Sequence, residues 1–165
     1  MKTQYQTPIG AVTLACNDGK LIGLWNDGQK YHGNDIFKGM TEKNDVPVFD
    51  ATKKWLDGYF AGKKPSISEL PLAPVGTDFR QSVWKILCEI PYGKVVSYGD
   101  IAKKMAAKMG RKSMASRAIG GAVGHNPISI IIPCHRVIGA NGTLTGYAGG
   151  VDIKIKLLEL EGVGW

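Results

Sequence analysis

Nine consecutive residues constrain this chain more than any others: Ile130-Ile131-Ile132-Pro133-Cys134-His135-Arg136-Val137-Ile138. β-Branched side chains on both sides suit an enclosed, pleated segment, and a proline inside such a run interrupts the hydrogen-bond ladder. The pattern predicts a buried strand that carries a cysteine and a histidine side by side into the interior. A free thiol, with a pKa of about 8.5, is a modest nucleophile near neutrality, and a neighbouring imidazole raises its thiolate fraction. The run therefore demands a core around it and points to chemistry at Cys134. Cys16 and Cys88 lack such a context and read as small core hydrophobes.

The rest of the chain can supply that core. With 165 residues and 44% hydrophobic content it has the make-up of a globular protein. No stretch is long and apolar enough to span a bilayer, and Met1-Lys2-Thr3-Gln4-Tyr5 is no signal-peptide core, so a cytoplasmic protein without membrane contact is expected. Three cysteines without framework spacing fit a reducing compartment. Charge is uneven. Residues 1–75 carry nine lysines against eight acids, whereas 76–165 carry twelve Lys and Arg against six acids. A basic excess confined to one half is the footprint of a polyanion partner, nucleic acid above all.

Along the first half, Val12, Leu14 and Cys16 alternate onto one face, Asn17-Asp18-Gly19 turns, and Leu21-Ile22-Gly23-Leu24-Trp25 returns, which predicts a β-hairpin. Residues 26–47 are polar and aperiodic and read as a surface loop. Asp50 is expected to cap a helix with a Trp55, Leu56, Tyr59, Phe60 stripe, closed by Gly62. Between Pro65 and Pro74 the pattern suggests a short strand and a linker, so the domains are placed at 1–75 and 76–165.

The second half is mostly helical. Thr77 or Asp78 opens a helix bearing Phe79, Val83, Trp84, Ile86, Leu87 and Ile90, and Pro91-Tyr92-Gly93 stops it. Lys94-Val95-Val96 is extended. Ser97 and Asp100 form a capping box for a helix over 98–109 that turns Ile101, Ala102, Met105 and Met109 inward. Gly110-Arg111-Lys112 is a turn, and Ser113 caps a second helix to Val123, closed by Gly124. The pair predicts a helix-turn-helix. Lys103, Lys104, Lys108, Arg111, Lys112 and Arg117 lie on or beside it, where they suit phosphates. The second helix is otherwise small, with Ser116 and Ala118 flanking Arg117, so it suits close approach to a groove with little sequence readout. Gly120, Gly121 and Ala122 equally suit tight packing between helices. After the His125-Asn126-Pro127 turn and the Cys134 run, Ala140-Asn141-Gly142-Thr143 is read as a turn and Thr145-Gly146-Tyr147-Ala148-Gly149-Gly150 as a glycine-rich pocket wall. A last helix over 151–161 turns Ile155, Leu157 and Leu158 inward and ends at Gly162. Glu161 stands at its negative pole, where an anion is disfavoured, and an acid so placed suggests another task.

Tyr98, Arg117, Asn126, Pro133-Cys134-His135-Arg136-Val137, Tyr147 and Glu161, in this order and spacing, resemble the O6-alkylguanine-DNA alkyltransferases, also called methylated-DNA-protein-cysteine methyltransferases, and most of all the bacterial Ogt-type members. The resemblance is strong over 76–162 and weaker before it. It implies an α+β fold: an N-terminal ribonuclease-H-like domain followed by a mostly helical domain that holds a helix-turn-helix and the active site. It implies DNA repair by a single irreversible transfer of the alkyl group from O6-alkylguanine, and from O4-alkylthymine, in duplex DNA to the protein's own cysteine.

The roles implied by the resemblance are these. Cys134 is the nucleophile, His135 its base through a bound water, Glu161 the group that orients His135, and Tyr98 the donor to the departing base. Arg117 is the finger that fills the space of a flipped nucleotide from the minor groove, with Ser116, Ala118 and Tyr98 also on the DNA side. Asn126 braces the turn between the second helix and the thiol, while Tyr147, Ala148 and Val123 line the guanine pocket. Ser129 and Ala148 stand where members of the family differ. No cofactor, no metal and a monomeric state are expected; Cys16 and His32 alone make no zinc site. The stretch from Tyr98 to Arg117 is longer than in the shortest members, which bears on helix boundaries and the reach of Arg117. The rival readings are a lesion-binding module without catalysis, a helix-turn-helix regulator and a Cys-His hydrolase. Cys134 itself argues against the first, the small-residue helix against the second, and the adjacency of Cys134 and His135 in an enclosed segment against the third.

Overall fold

The computed structural model describes residues 1–26, 39–139, 142 and 150–163. Three antiparallel strands open the chain, β1 (Lys2–Thr7), β2 (Gly10–Asn17) and β3 (Lys20–Asn26), hydrogen-bonded in that order. The β2–β3 turn is the tight one the sequence suggests. Asn17 pairs with Lys20, and the two residues between them, Asp18 at φ 51° and Gly19 at φ 73°, take the positive dihedrals that match strand twist. Val12, Leu14 and Cys16 are fully enclosed on one face. The opposite face is closed too, by Ala15, Ile22 and Trp25 with Met40 and Ala73. Trp25 lies across Gly23, where a Cβ would stand 2.2 Å from the indole, so only glycine fits that position.

Helix α1 (Pro47–Phe60) covers the first face. Asp50 does not cap it. The helix begins three residues earlier, with Pro47 in its first turn after an extended Val46, because proline's fixed φ and missing N–H suit that position. Asp50 remains in the first turn, at the positive pole. Trp55, Leu56 and Tyr59 are buried and Phe60 half-buried. The expected strand before the linker is instead a 3-10 turn, Ile67–Glu69, in which the Ser68 N–H donates to the Ser66 hydroxyl. Extended pairing is confined to Leu21 N–H on Pro71 O (2.8 Å) and Ala73 N–H on Leu21 O (2.8 Å). Of the expected loop at 26–47, residues 27–38 lie outside the described residues. Its end is not free coil: Lys2 N–H donates to Thr41 O and Lys43 N–H to Lys2 O, both at 3.0 Å.

The second half contains α2 (Asp78–Cys88), β4 (Val96–Ser97), α3 (Tyr98–Lys108), α4 (Ser116–Gly124), β5 (Val137–Ile138) and α5 (Val151–Leu160). Thr77 caps α2, and Ser97 with Asp100 makes the full capping box of α3. Met109 is 45% exposed rather than inward, because α3 ends one residue before it. Ser113 caps nothing. The first turn of α4 closes on Ala115, whose carbonyl takes the Ala118 N–H at 3.1 Å, so 109–115 is a connecting turn and α4 is short. Gly120 and Gly121 have open space where a Cβ would be, so close helix packing is not why they are glycines. The Trp84 indole N–H donates to Ala122 O at 2.9 Å and ties α2 to α4.

One continuous core runs from β2, β3 and α1 through α2, α3 and α4 to Ile128, Ile130, Ile131, Ile132, Val137 and Leu157. The described structure is α+β, and none of its helices is long and apolar enough to cross a membrane.

Candidate active site

The apolar run ending at Cys134 is buried, but it is not a strand. Ile130 sits at φ 72°, Ile132 N–H returns to Ile128 O, and Cys134–Arg136 is a single 3-10 turn. Asn126 explains why. Its side-chain amide donates to Ile132 O (2.9 Å) and its oxygen accepts from Ile128 N–H (3.0 Å), so it replaces the neighbouring strand such a run would otherwise pair with. Pro133 then offers no N–H to extend a ladder. Only Val137 and Ile138 are extended, pairing in parallel with Val96 and Ser97. This short pairing sets the cysteine turn beside the start of α3, where Tyr98 stands. On its other flank, Leu24 N–H donates to Pro127 O and Ser129 N–H to Leu24 O, so β3 supports the turn from the first half of the chain.

Cys134 is 4% exposed. Burial pushes its thiol up to about 11, opposed by a hydrogen bond from Asn126, by the charge of Lys154, and by the backbone N–H groups of Cys134 and His135. Lys154 was not singled out by sequence pattern. Helix α5 turns Lys154, Leu157 and Leu158 inward, and leaves Ile155 half-buried, so the stripe is displaced from the one expected. The Lys154 ammonium is fully enclosed and donates to Val137 O at 2.5 Å; burial brings its pKa down to about 8, against the pull of Cys134. Tyr98 is half-buried. Burial, with the charge of Cys134 added, raises its phenol to about 12, which keeps it a neutral donor.

His135 is wholly buried. Its Nε2 meets Glu161 Oε2 at 2.5 Å, and burial lowers its pKa despite the carboxylate beside it. Burial alone would raise the Glu161 carboxyl, but His135, Arg136 and Tyr59 outweigh it and hold the group at about 2. An ionised Glu161 requires the proton on Nε2. The lone pair of His135 is therefore on Nδ1, which is buried and has no hydrogen-bond partner among the described residues.

The carboxylate of Glu161 gathers donors from across the chain. Oε1 takes Arg136 Nε (2.7 Å) and Gly93 N–H (3.0 Å), and Oε2 takes His135, Arg136 Nη2 (3.2 Å) and the Tyr59 hydroxyl (2.6 Å). Gly93 reads in the sequence only as a helix stop. Its φ of 79°, and the 3.1 Å that would separate a Cβ from Glu161 O, show that it is also a close-approach glycine. Tyr59 reads only as core. No local signal marks either, since their role depends on a residue far along the chain. Arg136 is held further by Ile90 O at 2.7 Å and the Tyr92 ring at 5.7 Å.

Outside this centre, Ser116, Arg117 and Ala118 are exposed at the start of α4, and Val123 is buried near its end. Lys103, Lys104, Lys108, Arg111 and Lys112 are exposed on α3 and the turn after it. A groove of about 470 Å³ runs there between Lys103, Arg111, Lys112 and Ser116. Ser129 is buried beside the cysteine turn. Tyr147 and Ala148, like the expected turn at 140–143 apart from Gly142, lie outside the described residues. Among the described residues no cluster of His, Cys, Asp or Glu could hold a metal ion.

Comparison with known proteins agrees with this geometry. Residues 78–163 match the 6-O-methylguanine DNA methyltransferase DNA binding domain, and residues 1–74 its ribonuclease-like domain. A methylated-DNA--protein-cysteine methyltransferase of Methanosarcina acetivorans is 45% identical, across 96% of both chains. Its counterpart in Haemophilus influenzae is 38% identical, across 96% of this chain and 84% of its own. Among solved structures, Mycobacterium tuberculosis OGT in complex with DNA superimposes with a TM-score of 0.82 at 43% identity, covering 97% of this chain and 91% of that one. The Pyrococcus kodakaraensis O6-methylguanine-DNA methyltransferase gives 0.72 at 25% identity, covering 99% and 100%. With both halves matched, and with relatives 38–45% identical over nearly the whole chain, the chain belongs to the O6-methylguanine-DNA methyltransferase family.

Proposed function

We propose that this protein repairs DNA by moving an alkyl group from O6 of guanine in a duplex, and from O4 of thymine, onto Cys134, once per molecule. The observation that carries this reading is the buried Cys134 thiol next to a His135–Glu161 pair, beside an exposed basic helix-turn-helix. Arg117, flanked by Ser116 and Ala118, enters from the minor groove and fills the place of the extruded nucleotide. The base is then received beside Tyr98 and Val123. Asn126 holds the cysteine turn in place.

In the transfer step, His135 takes the thiol proton at Nδ1 by way of a water molecule, and the resulting imidazolium is held by Glu161. The sulfur electron pair forms the S–C bond as the C–O6 bond breaks, with its electron pair passing to the guanine. Tyr98 donates a hydrogen bond to the departing base, which takes up one proton overall and leaves as ordinary guanine. The product is a thioether that no group in the site hydrolyses, so no second turnover follows and no cofactor or metal is called for. The protein is read as a cytoplasmic monomer whose domains divide at 75/76.

The test is intact-mass measurement after incubation with duplex DNA carrying one O6-methylguanine. The expected result is the gain of one methylene mass per molecule, mapped to Cys134, and no reaction with Cys134→Ser. Turnover beyond one equivalent, or an alkyl group on another residue, refutes the proposal. Repair with Cys134 left unmodified would favour a hydrolase.

A further inference from the structure

We infer that Tyr59 is a positioning residue of the alkyl transfer, through which α1 sets the orientation and basicity of His135. This rests on the proposed function above. Among the described residues the other donors to Glu161 come from the second half of the chain: Gly93 from the turn after α2, His135 and Arg136 from the cysteine turn. Tyr59 is the exception, reaching from α1 across 102 positions of sequence to donate to Oε2 at 2.6 Å. It chooses the oxygen that His135 uses. Gly93 and Arg136 Nε occupy Oε1, and Arg136 Nη2 reaches Oε2 at 3.2 Å, so the Tyr59 hydroxyl, at 2.6 Å the shorter of these two contacts on Oε2, confines the room that the oxygen leaves for the imidazole.

The same side chain touches the imidazole directly. The Tyr59 ring meets His135 edge-on, with centroids 6.5 Å apart. It is itself held between Trp55 (5.7 Å, nearly parallel), Phe60 (5.1 Å, edge) and Tyr92 (6.0 Å, edge). Trp55 is anchored by its own N–H on Ser66 O at 2.8 Å. A phenol so clamped cannot swing away, and its two contacts steer the ring and the carboxylate together. Among the described residues the titratable and charged groups around the His135–Glu161 pair are Tyr59 from α1, Tyr92 beside Gly93, Arg136 and the neighbouring Cys134 from the cysteine turn, and Lys154 from α5. Of these groups Tyr59 is the neutral one that contacts both partners.

The effect has a sign. A neutral donor on Oε2 draws density from the carboxylate without competing as a base. Without the hydroxyl, Glu161 binds the Nε2 proton more tightly and His135 becomes more basic. The imidazole is then already protonated at a higher pH, and the acid limb of the transfer rate moves upward.

The experiment measures single-turnover transfer from O6-methylguanine duplex across the range in which histidine titrates, for the full chain, Tyr59→Phe and Val48→Ala. Val48 is buried in the same helix and makes none of the hydrogen bonds or ring contacts described for the site, so it serves as the control for helix destabilisation. Tyr59→Phe is expected to slow the plateau rate about tenfold and to raise the acid limb by about half a pH unit. Val48→Ala lowers the melting temperature but leaves the limb in place. In parallel, 15N spectra of the His135 ring follow its titration without DNA; the midpoint rises in Tyr59→Phe. Placing 4-fluorophenylalanine at position 59, which keeps the ring and lacks the donor, gives a second variant should Phe fail to fold. An unchanged limb and midpoint in either variant overturns the inference, as does an equal shift in Val48→Ala. If instead the wild-type chain fails to label Cys134 while the His135 midpoint still moves, Tyr59 orients His135 and the transfer reading is what falls.

Discussion

Replacing Glu161 with glutamine tests structure and chemistry at once. Both carboxylate oxygens are filled, Oε1 by Arg136 Nε and Gly93 N–H, Oε2 by His135, Tyr59 and Arg136 Nη2. Glutamine offers one oxygen and an NH2, so whichever way the amide turns, its donor faces donors. The substitution also leaves the 8%-exposed Arg136 side chain without its counter-charge. Removing one partner of a buried pair costs about 3–5 kcal/mol. In a chain of this length each kcal/mol shifts the melting temperature by about 2–4 °C, so a drop of roughly 6–20 °C is expected in a thermal melt. The proton on Nε2 loses its acceptor, and transfer should slow by about 100-fold or more, the scale of a lost general base. Acid titration adds a signature. The folded carboxyl titrates at about 2 against an ordinary 4.5, so its contribution is complete above 4.5 and lost as pH falls towards 2. The glutamine variant should lack that step. A melting temperature within about 2 °C of wild type, with a rate within about threefold, would refute the reasoning that this carboxylate is both keystone and orienter.

Two further predictions follow from exposed and buried cations. Arg117→Ala should slow transfer from duplex DNA by about tenfold or more and change the reaction with a free O6-substituted guanine base by less than about twofold, since extrusion is needed only in the duplex; single-turnover rates on both substrates decide it, and equal losses remove the finger role. Lys154→Met removes the charge that favours a Cys134 thiolate, so transfer should slow about tenfold. The folded lysine titrates at about 8 rather than 10.5, so its buried charge costs stability in full below 8 and progressively less up to 10.5. Denaturant midpoints should therefore show wild type gaining on Lys154→Met by about 2–3 kcal/mol between those limits, and a constant gap would show that the ammonium is not buried as described.

Elements whose cause is local were legible in the sequence. The Asp18-Gly19 turn, the Thr77 cap and the Ser97–Asp100 box each depend on a few neighbouring residues, and each stands where the pattern places it. The Cys134 run is instructive because burial was legible and conformation was not. An apolar β-branched run has the same composition whether a strand or a side chain satisfies its backbone, and here Asn126 does so. Lys154 is hidden for a related reason. A lysine on a helix reads as its solvent face, and only the closeness of Val137 O and Cys134 makes the inward position tolerable. Tyr59 and Gly93 carry no local mark, because both act on a carboxylate far along the chain.

Glu161 shows why a local anomaly can still point the right way. An anion at a helix C-terminus is disfavoured by about 0.3–1 kcal/mol, whereas each hydrogen bond to a charged group contributes about 1.5–3 kcal/mol net. With donors from Tyr59, Gly93, His135 and Arg136 the balance is not close, and the carboxylate stays ionised. The position also has a geometric reason. Glu161 is the first residue past α5, and Gly162 at φ 81° lets the chain leave the helix there. The side chain is thereby freed to turn back towards the cysteine turn. Residues inside α5 are held to the helix's own face, as Lys154 is, so the helix end is the place from which one carboxylate can meet α1, the Gly93 turn and His135 together.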